Sequence, residues 1–176
     1  MSFDLQPILR GRLIELRPLR PEDYEDLYAV ASDPLIWEQH PARDRYEPRV
    51  FQAFFREALD SGGALLASDV GAGRVIGSSR FHGYDAERSV IEIGWTFLAR
   101  SHWGGAWNGE MKRLMLQHAL RFVSRVVFVV GTRNFRSQRA LQKIGAVPVE
   151  TLPPAQGQDK LVYEITRAAF AERQST

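Results

Sequence analysis

The sequence predicts an α+β fold, with a mostly antiparallel central sheet that includes one parallel strand pair. Three observations carry this reading. Between Ala64 and Leu98, short strand-like runs are separated by Gly71-Ala-Gly73 and by Asp85 to Arg88, the pattern of an antiparallel meander. From Ala99 to Gly109 a Gly-rich turn opens directly into an amphipathic helix. The almost wholly apolar run Arg125-Val-Val-Phe-Val-Val-Gly131 follows, so strand, helix and strand read as a crossover joining a parallel pair.

With 176 residues the chain reads as one domain spanning 1–176, large enough to bury a core without staples. Hydrophobic residues make up 44% and charged residues 25%, proportions that argue against long disorder. The absence of cysteine excludes a disulfide framework, a thiolate metal site and a cysteine nucleophile. His40, His82, His102 and His118 lie far apart without metal-ligand spacing, so no metal is expected. A net charge of +2 with pI about 9.1 comes without a dense Lys/Arg stripe. That balance does not announce nucleic-acid binding and suits a polyanionic small ligand equally well. Met-Ser-Phe-Asp-Leu-Gln has no basic stretch followed by an apolar core, and no long apolar run follows, so a cytoplasmic protein without membrane association is expected.

Taken in order, Arg12-Leu-Ile-Glu-Leu-Arg-Pro18 alternates as a first strand, which Pro18 ends. Arg20 to Ala31 reads as a helix opened by Pro21 and the acids behind it, with Tyr24, Leu27, Tyr28 and Ala31 on its buried face. Asp33-Pro34 stops it. Leu35 to Tyr46 lacks periodicity and reads either as a substrate-facing lid or as a packed connector. Glu47 to Leu59 is a second helix, with Phe51, Phe54, Phe55 and Ala58 on one stripe. The meander is Ala64–Asp69, Arg74–Tyr84 and Ser89–Leu98. In its last strand, a side-chain period of two puts Ile91, Ile93, Trp95 and Phe97 on one face and Val90, Glu92, Gly94 and Thr96 on the other. Glu92 on such a face is either a solvated strand residue or a group with a chemical role.

In the helix after the Gly-rich turn, Met111, Leu114, Met115, His118, Ala119 and Phe122 form the inward stripe. Lys112, Arg113, Gln117 and Arg121 form the opposite, solvated face. The helix N-terminus offers four unpaired N–H groups and about half a positive charge, so Gly104, Gly105 and Gly109 mark either a simple turn or an anion cradle. Asn134 to Gly145 reads as a short helix, with Asn134 as N-cap, Gly145 as stop, and Ser137 on the inward face with Ala140, Leu141 and Ile144. Val147–Thr151 and Lys160–Ile165 close the sheet around a flexible loop, Pro153–Asp159. Thr166–Thr176 reads as a terminal turn and frayed tail.

This order of elements resembles the GNAT superfamily of acyl-CoA-dependent N-acetyltransferases over roughly residues 8 to 167. It resembles most the branch that acetylates the N-terminal residue of ribosomal proteins. Three stretches carry the resemblance. Glu92-Ile-Gly-Trp-Thr-Phe-Leu98 is similar to the central family strand, and Trp103-Gly-Gly-Ala-Trp-Asn-Gly-Glu110 to the acyl-CoA loop. Asn134-Phe-Arg-Ser-Gln-Arg-Ala-Leu-Gln-Lys-Ile-Gly145 is similar to the Asn-x-x-Ser helix. Ala106 stands where glycine is usual, and Asn108 where glycine or alanine is usual.

The resemblance implies a sheet whose parallel pair is splayed, with helices on both faces. It implies direct transfer of an acetyl group from acetyl-CoA, with no metal, to a primary amine such as a protein N-terminal α-amine. Glu92 is then the base and Ser137 the acid that protonates the departing thiolate. Backbone N–H groups of Trp95, Thr96 and Phe97 hold the thioester and pantetheine, and Asn134 bonds the pantetheine arm. Trp103, Gly104, Gly105, Ala106, Trp107, Asn108 and Gly109 form the pyrophosphate loop. Bland roles stand beside these, Asn134 as a cap and Ser137 as a small packing residue. Arg80, His82 and Tyr84, read as sharing a face, line the acceptor side below Trp37 and His40. A small amine or an aminoglycoside as acceptor, and a non-catalytic acyl-CoA-binding module, are the competing functions; the expected assembly is a monomer or homodimer.

Overall fold

The strand that alternation predicts runs over Ile14–Pro18, and a two-residue strand precedes it. In the computed structural model, which describes residues 2–154 and 159–175, β1 (Leu9–Arg10) turns back onto β2 (Ile14–Pro18). Their hairpin is tied to a later helix by one side chain. Glu110 accepts from Arg12 N at 3.0 Å, Leu13 N at 2.7 Å and Ile14 N at 2.9 Å.

Pro21–Asp23 forms a single 3-10 turn before α1 (Tyr24–Ala31), and α2 (Pro48–Asp60) follows, with Phe51, Phe54, Phe55 and Ala58 buried as the stripe predicts. Between α1 and α2 the irregular segment is packed at its centre. Trp37 is 1% exposed and its indole N–H donates to Ala31 O at 2.8 Å.

The meander is β3 (Ala64–Asp69), β4 (Arg74–Asp85) and β5 (Val90–Leu98). Then come α3 (Ala106–Ala119), β6 (Arg125–Gly131), α4 (Phe135–Lys143), β7 (Val147–Leu152), β8 (Lys160–Thr166) and α5 (Arg167–Gln174). The tail read as frayed is therefore helical through Gln174, with Thr166 Oγ1 capping it by accepting from Ala169 N at 3.2 Å. Its sequence carries no continuous apolar stripe; only Ala169 and Phe170 pack against the core. Residues 155–158 of the loop read as flexible lie outside the described residues.

The eight strands form one sheet in the order β1-β2-β3-β4-β5-β6-β8-β7. Among the described residues only β5 and β6 run parallel; the other pairings are antiparallel. One core, with Met111, Met115, Leu141, Ile91, Ile93 and Phe128 in it, lies under α3 and α4. The other, with Leu27, Phe51, Phe54, Trp37 and Phe97, lies under α1 and α2.

Two bulges change the strand faces that simple alternation gives. In β5 the register slips after Gly94, and Trp95 adopts φ +53°. Trp95 and Phe97 consequently pack with the α1/α2 core, whereas Ile91 and Ile93 stay on the α3 side. In β4 the register slips between His82 and Asp85, at Gly83 with φ +63°. Tyr84 thereby leaves the face of Arg80 and His82 and stacks on Phe3, 5.2 Å between rings, in the α3-side layer. Lys112 also departs from its expected solvated face. It is 6% exposed and its ammonium lies 5.3 Å from the Phe128 ring centroid, because α3 is covered over a wider arc than one stripe. Burial alone lowers its pKa to about 8.

Candidate active site

The parallel pair is only three residues deep: Val90 faces Arg125, Ile91 faces Val126 and Glu92 faces Val127. Beyond Glu92, β5 stays with β4 while β6 continues with β8, so the strands part. The N–H and C=O groups on the facing edges lose their ladder partners there, which is the opening a linear ligand with amide groups can enter.

Glu92 sits at the base of this opening on the α1/α2 face. Its partly buried carboxyl lies against Gly94, where a Cβ would come within 3.1 Å of Oε1. Burial raises its pKa above the usual carboxyl range, against the opposing pull of His82, Lys160 and Arg80. His82 is its cross-strand neighbour and meets the Trp95 ring edge-on at 5.2 Å. Arg80, paired with Gly94, is 3% exposed and stacks over Trp95 at 4.5 Å. The β5 bulge thus brings Trp95 onto the face that Glu92 already shares with Arg80 and His82, a grouping that alternation alone would not produce.

The residues around this face divide by exposure. His40 is partly buried and its Nδ1 accepts from Ala42 N at 2.9 Å, which leaves the ring proton on Nε2. Burial first, then the neighbouring Arg45 charge, lowers its pKa to about 3, so it is neutral at physiological pH. Trp37 packs at 5.0 Å from Phe97 and 5.5 Å from His40, supporting the segment from its core side. Tyr84 is not brought to this site.

The Gly-rich turn lies at the other end of the opening. A 3-10 turn, Arg100–His102, leads to Trp103, then Gly104 at φ +69°, then Gly105 as the N-cap of α3. Among the described residues no side chain caps α3. Gly104, Gly105, Ala106 and Gly109 are exposed, so the first-turn N–H groups face outward with the positive end of the helix dipole. Ala106 and Asn108 both lie inside that first turn, where alanine and asparagine keep normal helical backbone. The two tryptophans serve the scaffold: Trp103 donates to Leu98 O at 2.9 Å, and Trp107 meets His102 edge-on at 4.9 Å. Thr96 shares a 2.8 Å hydroxyl hydrogen bond with Ser79. Two surface grooves of about 180 and 340 Å³ flank the start of α3, the first lined by Gly109, Arg113, Lys143 and Arg173, the second by Arg12, Ala106 and Glu110. Neither reaches Glu92.

On α4, Asn134 is 5% exposed and its Oδ1 accepts from Ser137 N at 3.2 Å, the N-cap geometry its position predicts. Ser137 is partly buried in the first turn. Next to it is a residue the sequence did not flag. Arg136 stacks on Trp103 at 3.9 Å, donates to Ile36 O at 2.8 Å, and donates from its backbone N–H to Gln39 Oε1 at 3.1 Å. It pins the connector to α4 across the opening. Arg45, which lies over Phe54 at 4.4 Å, was equally unmarked, since neither arginine sits in a spaced motif.

A family model described as "Acetyltransferase (GNAT) domain" matches residues 13–147. A search of curated proteins by sequence finds no match. Among solved structures, one protein provisionally assigned as an acetyltransferase is 25% identical, covering 99% of this chain and 93% of its own, with TM-score 0.82. A protein from T. thermophilus with the same provisional assignment is 26% identical over 96% of this chain and 93% of its own, TM-score 0.77. Mycobacterium smegmatis RimJ, solved in complex with CoA-disulfide, is 18% identical over 97% and 92%, TM-score 0.72, a likeness of fold.

Proposed function

The chain belongs to the GNAT acetyltransferase family, and from that premise we propose that it moves the acetyl group of acetyl-CoA to a primary amine held against Glu92. The observation that carries this reading is the position of Glu92, a partly buried carboxyl with a raised pKa at the point where the parallel strands part. A base there meets the central demand of the reaction. An α-amine is roughly a fifth neutral near pH 7 and a lysine amine below ~0.1%, so an N-terminal amine needs only a modest base while a lysine needs far more. Glu92, directly or through one water, takes the proton as the nitrogen attacks the thioester carbon. The C–S bond then breaks, and Ser137 relays a proton to the thiolate, its hydroxyl taking one from water as it gives one up, so that free thiol leaves and Ser137 is unchanged.

The uncapped, glycine-flanked N-terminus of α3 fits the pyrophosphate of the donor. The open edge of β5 from Trp95 to Phe97 fits its pantetheine amides. Asn134 Oδ1 is occupied by the cap, which leaves its Nδ2 amide to donate to the arm. An α-amine, whether of a protein N-terminus or of a smaller molecule, is the acceptor class we favour for the ease of its deprotonation, with the cytoplasm as the compartment where acetyl-CoA and such an amine meet.

Release of free thiol from acetyl-CoA with an amine present tests the reading. Glu92→Gln should lower kcat by about 100-fold or more. Because the base works only when ionised, wild-type kcat should fall as pH drops through the raised Glu92 pKa, and Glu92→Gln should lack that limb. Ser137→Ala should lower kcat with little change in the KM for acetyl-CoA. Unchanged kcat in both variants sinks the assignments, and retention of acetyl-CoA without turnover would make the protein a binding module.

A further inference from the structure

The acceptor side of the sheet holds two guanidiniums that no carboxylate among the described residues contacts. Arg80 is 3% exposed, its Nη2 is buried without a hydrogen-bond partner, and its guanidinium is held over the rings of Trp95 at 4.5 Å and Phe54 at 5.7 Å. Arg45 reaches the same place from the connector, 4.4 Å over Phe54 and 5.2 Å over Trp37. Among the described residues neither arginine makes an ion pair; Glu57 acts on both, Asp44 on Arg45 and Glu92 on Arg80, beyond contact distance. Burial lowers the pKa of each, Arg45 to about 10 with Arg80 as the second cause. Two guanidiniums brought together in a partly desolvated site, with carboxylates acting on them only from beyond contact, gain from an anion that joins them directly.

Their planar forks match a carboxylate through two parallel hydrogen bonds, as they also match a phosphate. Their position relative to the base is set by the sheet. Arg80 pairs with Gly94 and His82 with Glu92, so Arg80 and Glu92 are diagonal neighbours on one face, about 7–8 Å apart at the backbone. We propose that the acceptor is an amine that carries its own carboxylate a few bonds away, which Arg80 and Arg45 hold while the amine meets Glu92. This inference rests on the reading of Glu92 as the base. It identifies the substrate class as amino acids or short peptides with a nearby carboxylate. It also disfavours polyamines, whose second ammonium would face the two guanidiniums.

Matched acceptor pairs decide it: β-alanine against β-alaninamide, and glycyl-glycine against its amide, with spermidine as the polycation. With acetyl-CoA, the acid of each pair should show at least a ~10-fold higher kcat/KM, since a charged hydrogen-bond pair is at stake. Spermidine should be the poorest acceptor. Arg80→Met should bring the acid-to-amide ratio toward one, and Arg80→Lys should restore part of it. Arg45→Met provides the same measurement if Arg80→Met does not fold. Binding of the same pairs, followed by indole fluorescence, reads the preference without turnover. Equal binding or turnover of acid and amide in the wild type, or a ratio that both arginine variants preserve, overturns the anion subsite. Preferential binding of the acids with no turnover on any amine overturns the transferase reading and leaves the subsite standing.

Discussion

Glu110 and Glu92 are two carboxylates that the fold treats in opposite ways. Burial pushes the Glu110 carboxyl up, but hydrogen bonds from the N–H groups of Leu13, Arg12 and Ile14 outweigh it and leave its pKa below the usual range. Its stabilisation is therefore complete above the ordinary carboxyl pKa and is lost as pH falls through the lowered one. Glu110→Ala strands three donors of the first hairpin and should cost about 2–4 kcal/mol. At roughly 2–4 °C per kcal/mol for a domain of this size, a thermal melt resolves that loss easily. A melting temperature within a degree of wild type would show that the hairpin does not depend on the carboxylate. Glu92 has the reverse sign. Its raised pKa means that ionisation opposes folding as pH rises through the carboxyl range, so Glu92→Gln should melt higher than wild type at neutral pH while losing activity. The sequence marks neither difference, because the partners of both groups come from residues distant in the chain.

The elements that were legible in sequence are those with a continuous signal. The apolar run of β6 announced a strand, although only the face of Val126, Phe128 and Val130 is buried while Val127 and Val129 opposite are partly exposed; the aromatic stripe of α2 announced its buried side, and Asn134 and Gly145 bounded α4. What alternation could not deliver were the two bulges, since one extra residue reverses every face after it. Gly83 carried a usable hint, a glycine inside a strand; Trp95, at φ +53° without being glycine, carried none. The site inherits the same limit. Glu92 and the Gly-rich turn were readable from a motif, but the gathering of Trp95 beside Arg80, and the removal of Tyr84, depend on the bulges. The β4 bulge offers a clean test, because a Cβ added at Gly83 meets nothing within 4 Å and the cost of Gly83→Ala is that of its positive φ alone. That cost should be about 1 kcal/mol in urea unfolding. Gly83 adjoins the His82–Glu92 pair, so kcat should fall as well. A variant as stable and active as wild type would mean that the bulge is not needed in this conformation.

At the scale of the molecule, β1 to β5 with α1 and α2 form one part, and β6 to β8 with α4 and α5 form another. They are joined in the sheet by the three-residue parallel register between β5 and β6, and bridged above it by α3. Such a short seam leaves strand edges open beyond it, and a ligand lying there contacts both parts. A ligand that binds only the folded state stabilises it by about 2.7 kcal/mol at a hundred times its Kd. For this size of chain that is a rise of roughly 5–10 °C in Tm. With a net charge of +2 and an uncapped helix N-terminus facing outward, most of the expected affinity for CoA comes from its phosphates. Pantetheine, which has the same arm and no phosphates, should therefore shift the melt far less than CoA at equal concentration, and the CoA shift should shrink as salt is raised. An equal shift by pantetheine would move the binding energy from the Gly-rich turn to the strand edges. No shift by either would leave the seam without the ligand proposed for it.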